Sequence, residues 1–253
     1  MVVFTGVGVA LVTLFDDDGA IDAPATAEHA AALVESGMSA VVVAGSTGEA
    51  AALHPAERIS LLEAARKAVP DNVPVLAGTG APSARQAVAL TTDAVEHGAD
   101  AVLTLSPPGA ADVRAYYDAV AKAAGAVPVF AYHYPAVAPP GIPVAVLADL
   151  PVAGCKDSSG DPDRLLLELV EWGGPLYAGS SALLSFAGPL GCPGAILALA
   201  NAEPERCVRA FAGDTAAQRE LVASHTAAHG RFPSGIKELV ARRYGTSTVT
   251  RMG

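Results

Sequence analysis

The feature that most constrains this chain is an alternation: strand-length apolar runs take turns with longer stretches of helical period. The apolar runs cover residues 7–13, 41–44, 73–77, 101–105, 127–132, 152–156, 176–179 and 194–198. Between them the helix signals are specific. Asp22 stands where an N-cap is needed, Pro24 falls in the first turn and Gly37 closes the segment. Over 55–69, Ile59, Leu62 and Ala65 share one side, with Arg58, Glu63 and Lys67 off it. Ser83 caps a helix that ends at Gly98. Further helices are expected over 112–124, 144–150, 162–172 and 182–190, and the chain beyond the eighth run reads as helix. Connections of crossover length imply parallel pairing. Eight such units in 253 residues close most economically as a (β/α)8 TIM barrel, with additional C-terminal helices from about residue 203. An open doubly wound sheet is the alternative. Residues 1–253 show no low-complexity linker and are expected to form one domain.

Composition decides what such a barrel is made of and what it meets. The chain is 51% hydrophobic and only 17% charged, with six Phe, six Tyr and one Trp, so its core must be mostly Ala, Val and Leu. A net charge of −10 disfavours nucleic acid and anionic membrane as partners. It also means that an anionic substrate needs local help from backbone amides or hydroxyls. No uncharged apolar run is long enough to span a bilayer. The N-terminal Met1-Val-Val-Phe-Thr-Gly lacks a basic region and a cleavage site. Cys155, Cys192 and Cys207 are too scattered for a disulfide framework, and buried thiols in a cytoplasmic protein are expected.

Active sites of such barrels lie at the C-terminal ends of the strands. Polar residues placed there are Gly45-Ser-Thr-Gly-Glu49, Thr79, Ser106, Tyr132-His-Tyr134, Lys156-Asp-Ser-Ser159, Ser180-Ser181 and Asn201. The chain has four lysines. Lys67, Lys122 and Lys237 fall in helical stretches and are expected to be solvated, whereas Lys156 emerges from a buried strand. It either snorkels to the rim or pairs with Asp157, or it shares an inward face with Val152 and Gly154. In the last case apolar surroundings favour its neutral, nucleophilic form. Gly45-Ser46-Thr47-Gly48 is either an ordinary helix-entry turn or a turn of N–H groups and hydroxyls that holds a carboxylate. Glu49 points into the site or caps the next segment. Tyr132 is a proton relay at the barrel mouth or a core tyrosine with a satisfied hydroxyl. His225 and His229 stand four apart on a helix without the Glu of a metalloprotease motif, so a solvated helix face is expected rather than a metal site. Cys155 lies on the opposite strand face from Lys156 and is read as packing.

In order and spacing, these segments resemble the dihydrodipicolinate synthase / N-acetylneuraminate lyase family of pyruvate-dependent class I aldolases. The matching stretches are Ala10-Leu-Val-Thr-Leu-Phe15, Gly45-Ser-Thr-Gly-Glu-Ala50, Leu76-Ala-Gly-Thr-Gly80, Tyr132-His-Tyr-Pro135, Gly154-Cys-Lys-Asp-Ser-Ser-Gly-Asp161, Gly194-Ala-Ile-Leu-Ala198 and Phe232-Pro-Ser-Gly-Ile-Lys237. The resemblance implies that Lys156 forms an imine with a 2-oxo acid such as pyruvate and that Tyr132 relays protons. It implies that Ser46 and Thr47 hold the carboxylate and link to that tyrosine, and that Ile196 lines the pocket floor. Neither cofactor nor metal is implied, and the partners are a small 2-oxo acid, an aldehyde and further copies of the chain in a dimer or tetramer.

Two departures shape the expected activity. The segment Leu105-Ser-Pro-Pro-Gly-Ala-Ala-Asp112 is short and lacks the tyrosine that dihydrodipicolinate synthases send to a neighbouring subunit. Ala136-Val-Ala-Pro-Pro-Gly141 lacks the arginine that holds the aldehyde partner's carboxylate. The Tyr-x-Tyr-Pro form is more like aldolases of 2-keto-3-deoxy sugar acids. The expected function is therefore a lyase joining pyruvate to an aldehyde, or cleaving the product. An imine-dependent dehydratase or a dihydrodipicolinate synthase is the alternative within the mechanism. A noncatalytic ligand-binding paralogue is the alternative outside it.

Overall fold

A computed structural model describes residues 2–252. Eight strands pair in parallel and in sequence order around a closed barrel. They are β1 (Gly6–Ala10), β2 (Ala40–Val43), β3 (Val75–Gly78), β4 (Ala101–Leu105), β5 (Val129–His133), β6 (Gly154–Asp157), β7 (Leu176–Ala178) and β8 (Gly194–Leu197). The connecting helices are α1 (Ala23–Glu35), α2 (Pro55–Ala68), α3 (Ala84–Glu96), α4 (Arg114–Ala124), α5 (Val144–Leu147), α6 (Pro162–Leu167) and α7 (Leu184–Ala187). After β8 come α8 (Pro204–Phe211), α9 (Thr215–Glu220), α10 (Val222–His229) and α11 (Ser234–Tyr244). The caps fall where the residue types place them: Asp22 accepts from Ala25 N, and Ser83 from Gln86 N.

Alternation along each strand divides the buried side chains in two. Val41, Val43, Val75, Val102, Val129, Cys155 and Leu197 face the helices. Ala40, Val42, Leu76, Leu103, Phe130, Tyr132, Tyr177 and Ile196 fill the barrel, above Phe4. The two large aromatics Phe130 and Tyr177 fit because their neighbours are small. A Cβ on Gly154 would stand 2.9 Å from the Phe130 ring, and one on Gly194 2.9 Å from Tyr177. The ladder pairs Tyr132 with Lys156 and Lys156 with Tyr177, which fixes all three side chains on the inner face.

Four expected elements are revised. The first strand stops at Ala10 because the side chain of Asn201 takes over its edge: Val12 N donates to Asn201 Oδ1 (3.1 Å), and Asn201 Nδ2 donates to Ala10 O (2.7 Å). The helix expected over 162–172 is α6 followed by a single π turn, Glu168–Trp172, which seats buried Glu168 2.6 Å from Arg164. Only residues 184–187 of the stretch 182–190 are helical. Gly188 lies so close to Phe211 O that no side chain fits, and Pro189 follows. The chain past Tyr244 leaves the helix at Gly245 and runs back without regular structure to α2.

Candidate active site at the barrel mouth

Lys156 is 5% exposed, and its Nζ lies 4.2 Å from the centroid of the Tyr132 ring. Among the described residues no carboxylate pairs with it. Asp157 faces the other way, where Oδ1 accepts from Ser159 N (2.7 Å), Oδ2 from Ser159 Oγ (3.0 Å), and Arg164 stands 3.4 Å off. Lys156 therefore neither pairs with Asp157 nor reaches solvent at the rim, and its side chain lies on the inner face. Burial without a counter-charge pushes its pKa down from 10.5 to about 7. A substantial fraction is then the neutral amine at neutral pH.

Tyr132 belongs to the barrel core by its ring and to the mouth by its hydroxyl. The hydroxyl accepts from Ser158 Oγ at 3.4 Å. Burial raises the phenol to about 12, against the lowering influence of Ser158 and Ser46. It stays protonated through the physiological range. Tyr134 stacks on it at 5.8 Å.

The loop after β2 is held in an unusual shape. Ala44 (φ 50°) and Glu49 (φ 57°) are both left-handed without being glycine, a conformation that costs energy and is often found at functional sites. Thr13 Oγ1 donates to Gly48 O at 2.7 Å, which fixes the loop's centre. Thr47 is buried beside Lys156, and among the described residues the N–H groups of Thr47 and Gly48 have no backbone acceptor. Amides without a backbone acceptor and a nearby hydroxyl are groups of the kind that hold an anion. Glu49 neither points into the site nor serves as a simple cap. It turns away and pairs with Lys237 at 2.6 Å, both fully buried.

One cavity is lined by Thr47, Tyr132, Tyr134, Lys156, Ser158 and Ser180. It brings together Thr47, Tyr132 and Lys156 as expected. Ser46 lines the adjoining apolar groove between α3 and the β4–α4 loop. Ile196 is fully buried in the layer of barrel side chains and lies outside this cavity's lining, where Ala198 and Leu199 take the β8 position. Tyr116 and Tyr117 do not replace the missing bridging tyrosine. Their hydroxyls donate to the carbonyls of Ala81 (3.0 Å) and Thr104 (2.9 Å).

One expectation about a surface residue is corrected. Lys237 is not solvated, because its amine meets Glu49, the carbonyl of Val249 (2.6 Å) and the Phe15 ring (4.2 Å). His225 is half-buried and His229 exposed, as a solvated helix face requires, and both also line the cavity above Lys156. No third His, Cys, Asp or Glu joins them among the described residues. Ser158 was legible in principle, two residues beyond Lys156 on the same strand face. The histidines had no local signal, since only the packing of α10 against the segments that follow β7 and β8 brings them to the mouth.

A closed parallel barrel with its polar groups gathered at one mouth defines the class by architecture, a (β/α)8 barrel. Residues 3–238 match the model of the dihydrodipicolinate synthetase family, and the chain belongs to that family, whose members are pyruvate-dependent lyases. An uncharacterized DapA-like lyase of Halobacterium salinarum is 36% identical over 233 residues, covering 85% of this chain and 73% of the relative. A 4-hydroxy-tetrahydrodipicolinate synthase of Natronomonas pharaonis is 35% identical, covering 86% and 79%. Among solved structures, YagE, a prophage protein of E. coli K12 in complex with pyruvate, superposes with a TM-score of 0.90 at 26% identity, over 98% of this chain and 92% of its own. Among the described residues no helix is long and apolar enough to cross a membrane.

Proposed function

We propose that the protein is a class I aldolase in which Lys156 forms an imine with pyruvate and couples it to an aldehyde, or cleaves the corresponding 2-keto-3-deoxy sugar acid. The observation that carries this reading is the buried lysine without a counter-charge, beside a protonated tyrosine and in one cavity with Thr47. The carboxylate of pyruvate sits on Thr47, Ser46 and the Thr47–Gly48 amides. Lys156 Nζ adds to C2, Tyr132 delivers a proton to the carbinol oxygen, and water leaves. The protonated imine draws electrons from C3, which loses a proton through the Tyr132 relay. The enamine carbon attacks the aldehyde carbon, whose oxygen takes the proton back, and hydrolysis of the imine frees Lys156. No cofactor or metal enters these steps. The protein works as a homo-oligomer in this reading, in keeping with the family resemblance.

A dihydrodipicolinate synthase is the second reading, favoured by the name of the Natronomonas relative. The residues 136–141 that follow the Tyr-x-Tyr-Pro segment lack an arginine, and the cavity's lining contains none. That leaves the carboxylate of an amino-acid semialdehyde without a partner, and favours the first reading. Incubation with pyruvate and borohydride followed by peptide mapping tests the common step: a reduced adduct forms at Lys156 and is missing in Lys156→Ala. An unmodified Lys156 at saturating pyruvate sinks both readings. Product formation with glyceraldehyde but not with aspartate semialdehyde then selects the first.

A further inference from the structure

The cavity over Lys156 has a second wall that the strands do not build. His225 and His229 of α10, with Phe232 and Ile236 at α11, face Ser180 and Ser181 in the loop after β7. The wall is tied down from both sides. Ser181 Oγ and His225 Nδ1 are 2.8 Å apart. Gln218 of α9 donates Nε2 to Ser181 O (2.8 Å) and accepts from Ser185 N (3.0 Å), which locks the loop against the C-terminal helices. The two imidazoles stack with centroids 5.6 Å apart and planes within 14°. Ser181 engages Nδ1 of His225, and Nε2 has no hydrogen-bond partner among the described residues.

The charge of this wall is as informative as its shape. The lining contains no Asp, Glu or Arg, and Lys156 is its one lysine. Burial, and secondarily His229, lower the pKa of His225 from 6.5, so its ring is neutral around pH 7. A neutral imidazole and a serine hydroxyl each donate and accept hydrogen bonds, which is what vicinal hydroxyls need. A phosphate or a second carboxylate would lose its hydration here without gaining a fixed counter-charge.

We propose that Ser181, His225 and His229 form the subsite for the second substrate and select an uncharged, hydroxylated aldehyde over phosphorylated or carboxylated ones. This rests on the pyruvate-imine reading of Lys156. The His225 and His229 nitrogens hydrogen-bond the aldehyde's hydroxyls, and the apolar floor of Leu199, Ala228 and Ile236 covers its carbon chain.

Steady-state rates at saturating pyruvate with glyceraldehyde, glyceraldehyde 3-phosphate and succinic semialdehyde test the choice of substrate. The expected result is kcat/KM at least about tenfold higher for glyceraldehyde than for either charged aldehyde, about 1.4 kcal/mol in transition-state binding. His225→Ala and His229→Ala raise KM for glyceraldehyde about fivefold or more, while KM for pyruvate stays within about twofold. His225→Asn retains a hydrogen-bonding group for Ser181 but has no Nε2, so it shows the same rise. A merely structural role for His225 predicts instead that Asn restores the original KM, and that outcome overturns the proposal. So does a preference for either charged aldehyde, or an unchanged aldehyde KM in both alanine variants. If borohydride traps pyruvate on Lys156 and no aldehyde gives product, the subsite fails while the imine reading stands. If no adduct forms, the imine reading fails and this proposal with it.

Discussion

Lys156 and Lys237 are both withdrawn from solvent, at 5% and 0% exposure, yet the fold surrounds them in opposite ways. Lys237 meets the Glu49 carboxylate at 2.6 Å and the carbonyl of Val249 at 2.6 Å, so its charge has partners. Lys156 meets the Tyr132 ring and no counter-charge. Desolvation lowers both pKa values, but at Lys237 the Glu49 carboxylate works against it, while at Lys156 nothing does. The paired lysine is fit to hold structure together, and the unpaired one is fit to react. Lys237 also bears on the site indirectly. Glu49 ends the Ser46–Thr47 loop in a left-handed conformation, and Glu49 Oε2 accepts from the N–H groups of Arg251 (2.7 Å) and Met252 (2.9 Å). Arg251 in turn grips Glu57 at 2.7 Å. One end of the chain thus clamps the loop that presents Thr47.

The contrast is broken most severely by removing the reactive amine. Lys156→Met is expected to return turnover to the uncatalysed background, a loss of at least about 10⁶-fold, with the protein still folded by circular dichroism. A variant that retains measurable pyruvate-dependent turnover would show that the unpaired lysine is not the nucleophile.

The paired lysine should fail in the other way. Lys237→Met leaves Glu49 buried without its partner, and urea denaturation should show a loss of about 3–5 kcal/mol. Adding Glu49→Gln should recover much of that loss, because the amide carries no charge and its oxygen still accepts from the Arg251 and Met252 N–H groups. At temperatures where Lys237→Met remains folded, borohydride should still trap pyruvate on Lys156. No loss of stability in Lys237→Met would erase the distinction between the two sites.

A smaller effect of opposite sign follows for Lys156. Replacing it with Met removes a desolvated amine and leaves no partner behind, so the variant should be more stable than the parent by about 1–4 kcal/mol near pH 6. The folded pKa of about 7 lies below the unfolded 10.5. Between these values the unfolded state binds more protons, so the parent's stability rises with pH. The gap to Lys156→Met should therefore shrink from pH 7 towards pH 10. A gap that is constant over that window would contradict the depressed pKa.

The difference between the two lysines also marks where sequence reading succeeds. Strands buried on both faces appear as uninterrupted apolar runs, and the helix caps at Asp22 and Ser83 are chemistry visible at one position, so the barrel order was legible. Lys156 was legible because it interrupts such a run at its C-terminal end. Lys237 was not: it sits in a helical stretch like any solvated lysine, and its partner is Glu49, on the far side of the sequence. The end of β1 was hidden for the same reason, since Asn201 lies 189–191 residues from the groups it binds. Of the site, Thr47 follows a strand and Tyr132 stands at the end of one, so both were legible from position. His225 was not, because its hydrogen bond to Ser181 spans 44 residues and depends on how α10 packs.

The smallest effect offers the closest test of the chemistry, since it needs no substitution. Imine formation requires the free amine. With a pKa of about 7, roughly one tenth of Lys156 is neutral at pH 6, half at pH 7 and nine tenths at pH 8. The apparent rate of pyruvate adduct formation, followed by quenching with borohydride at fixed subsaturating pyruvate, should climb nearly tenfold from pH 6 to pH 8 and then level. Tyr132 does not interfere over this range, because its phenol stays protonated to about 12. Placing a carboxylate opposite the amine should undo the effect. In Ser158→Asp, an introduced negative charge at the mouth favours the ammonium form, so the limb moves to higher pH and the rate at pH 7 falls. A rate that rises tenfold per unit up to pH 10 in the unmodified protein would mean that Lys156 titrates like a solvated lysine. The contrast with Lys237 would then lie in partners alone and not in proton affinity.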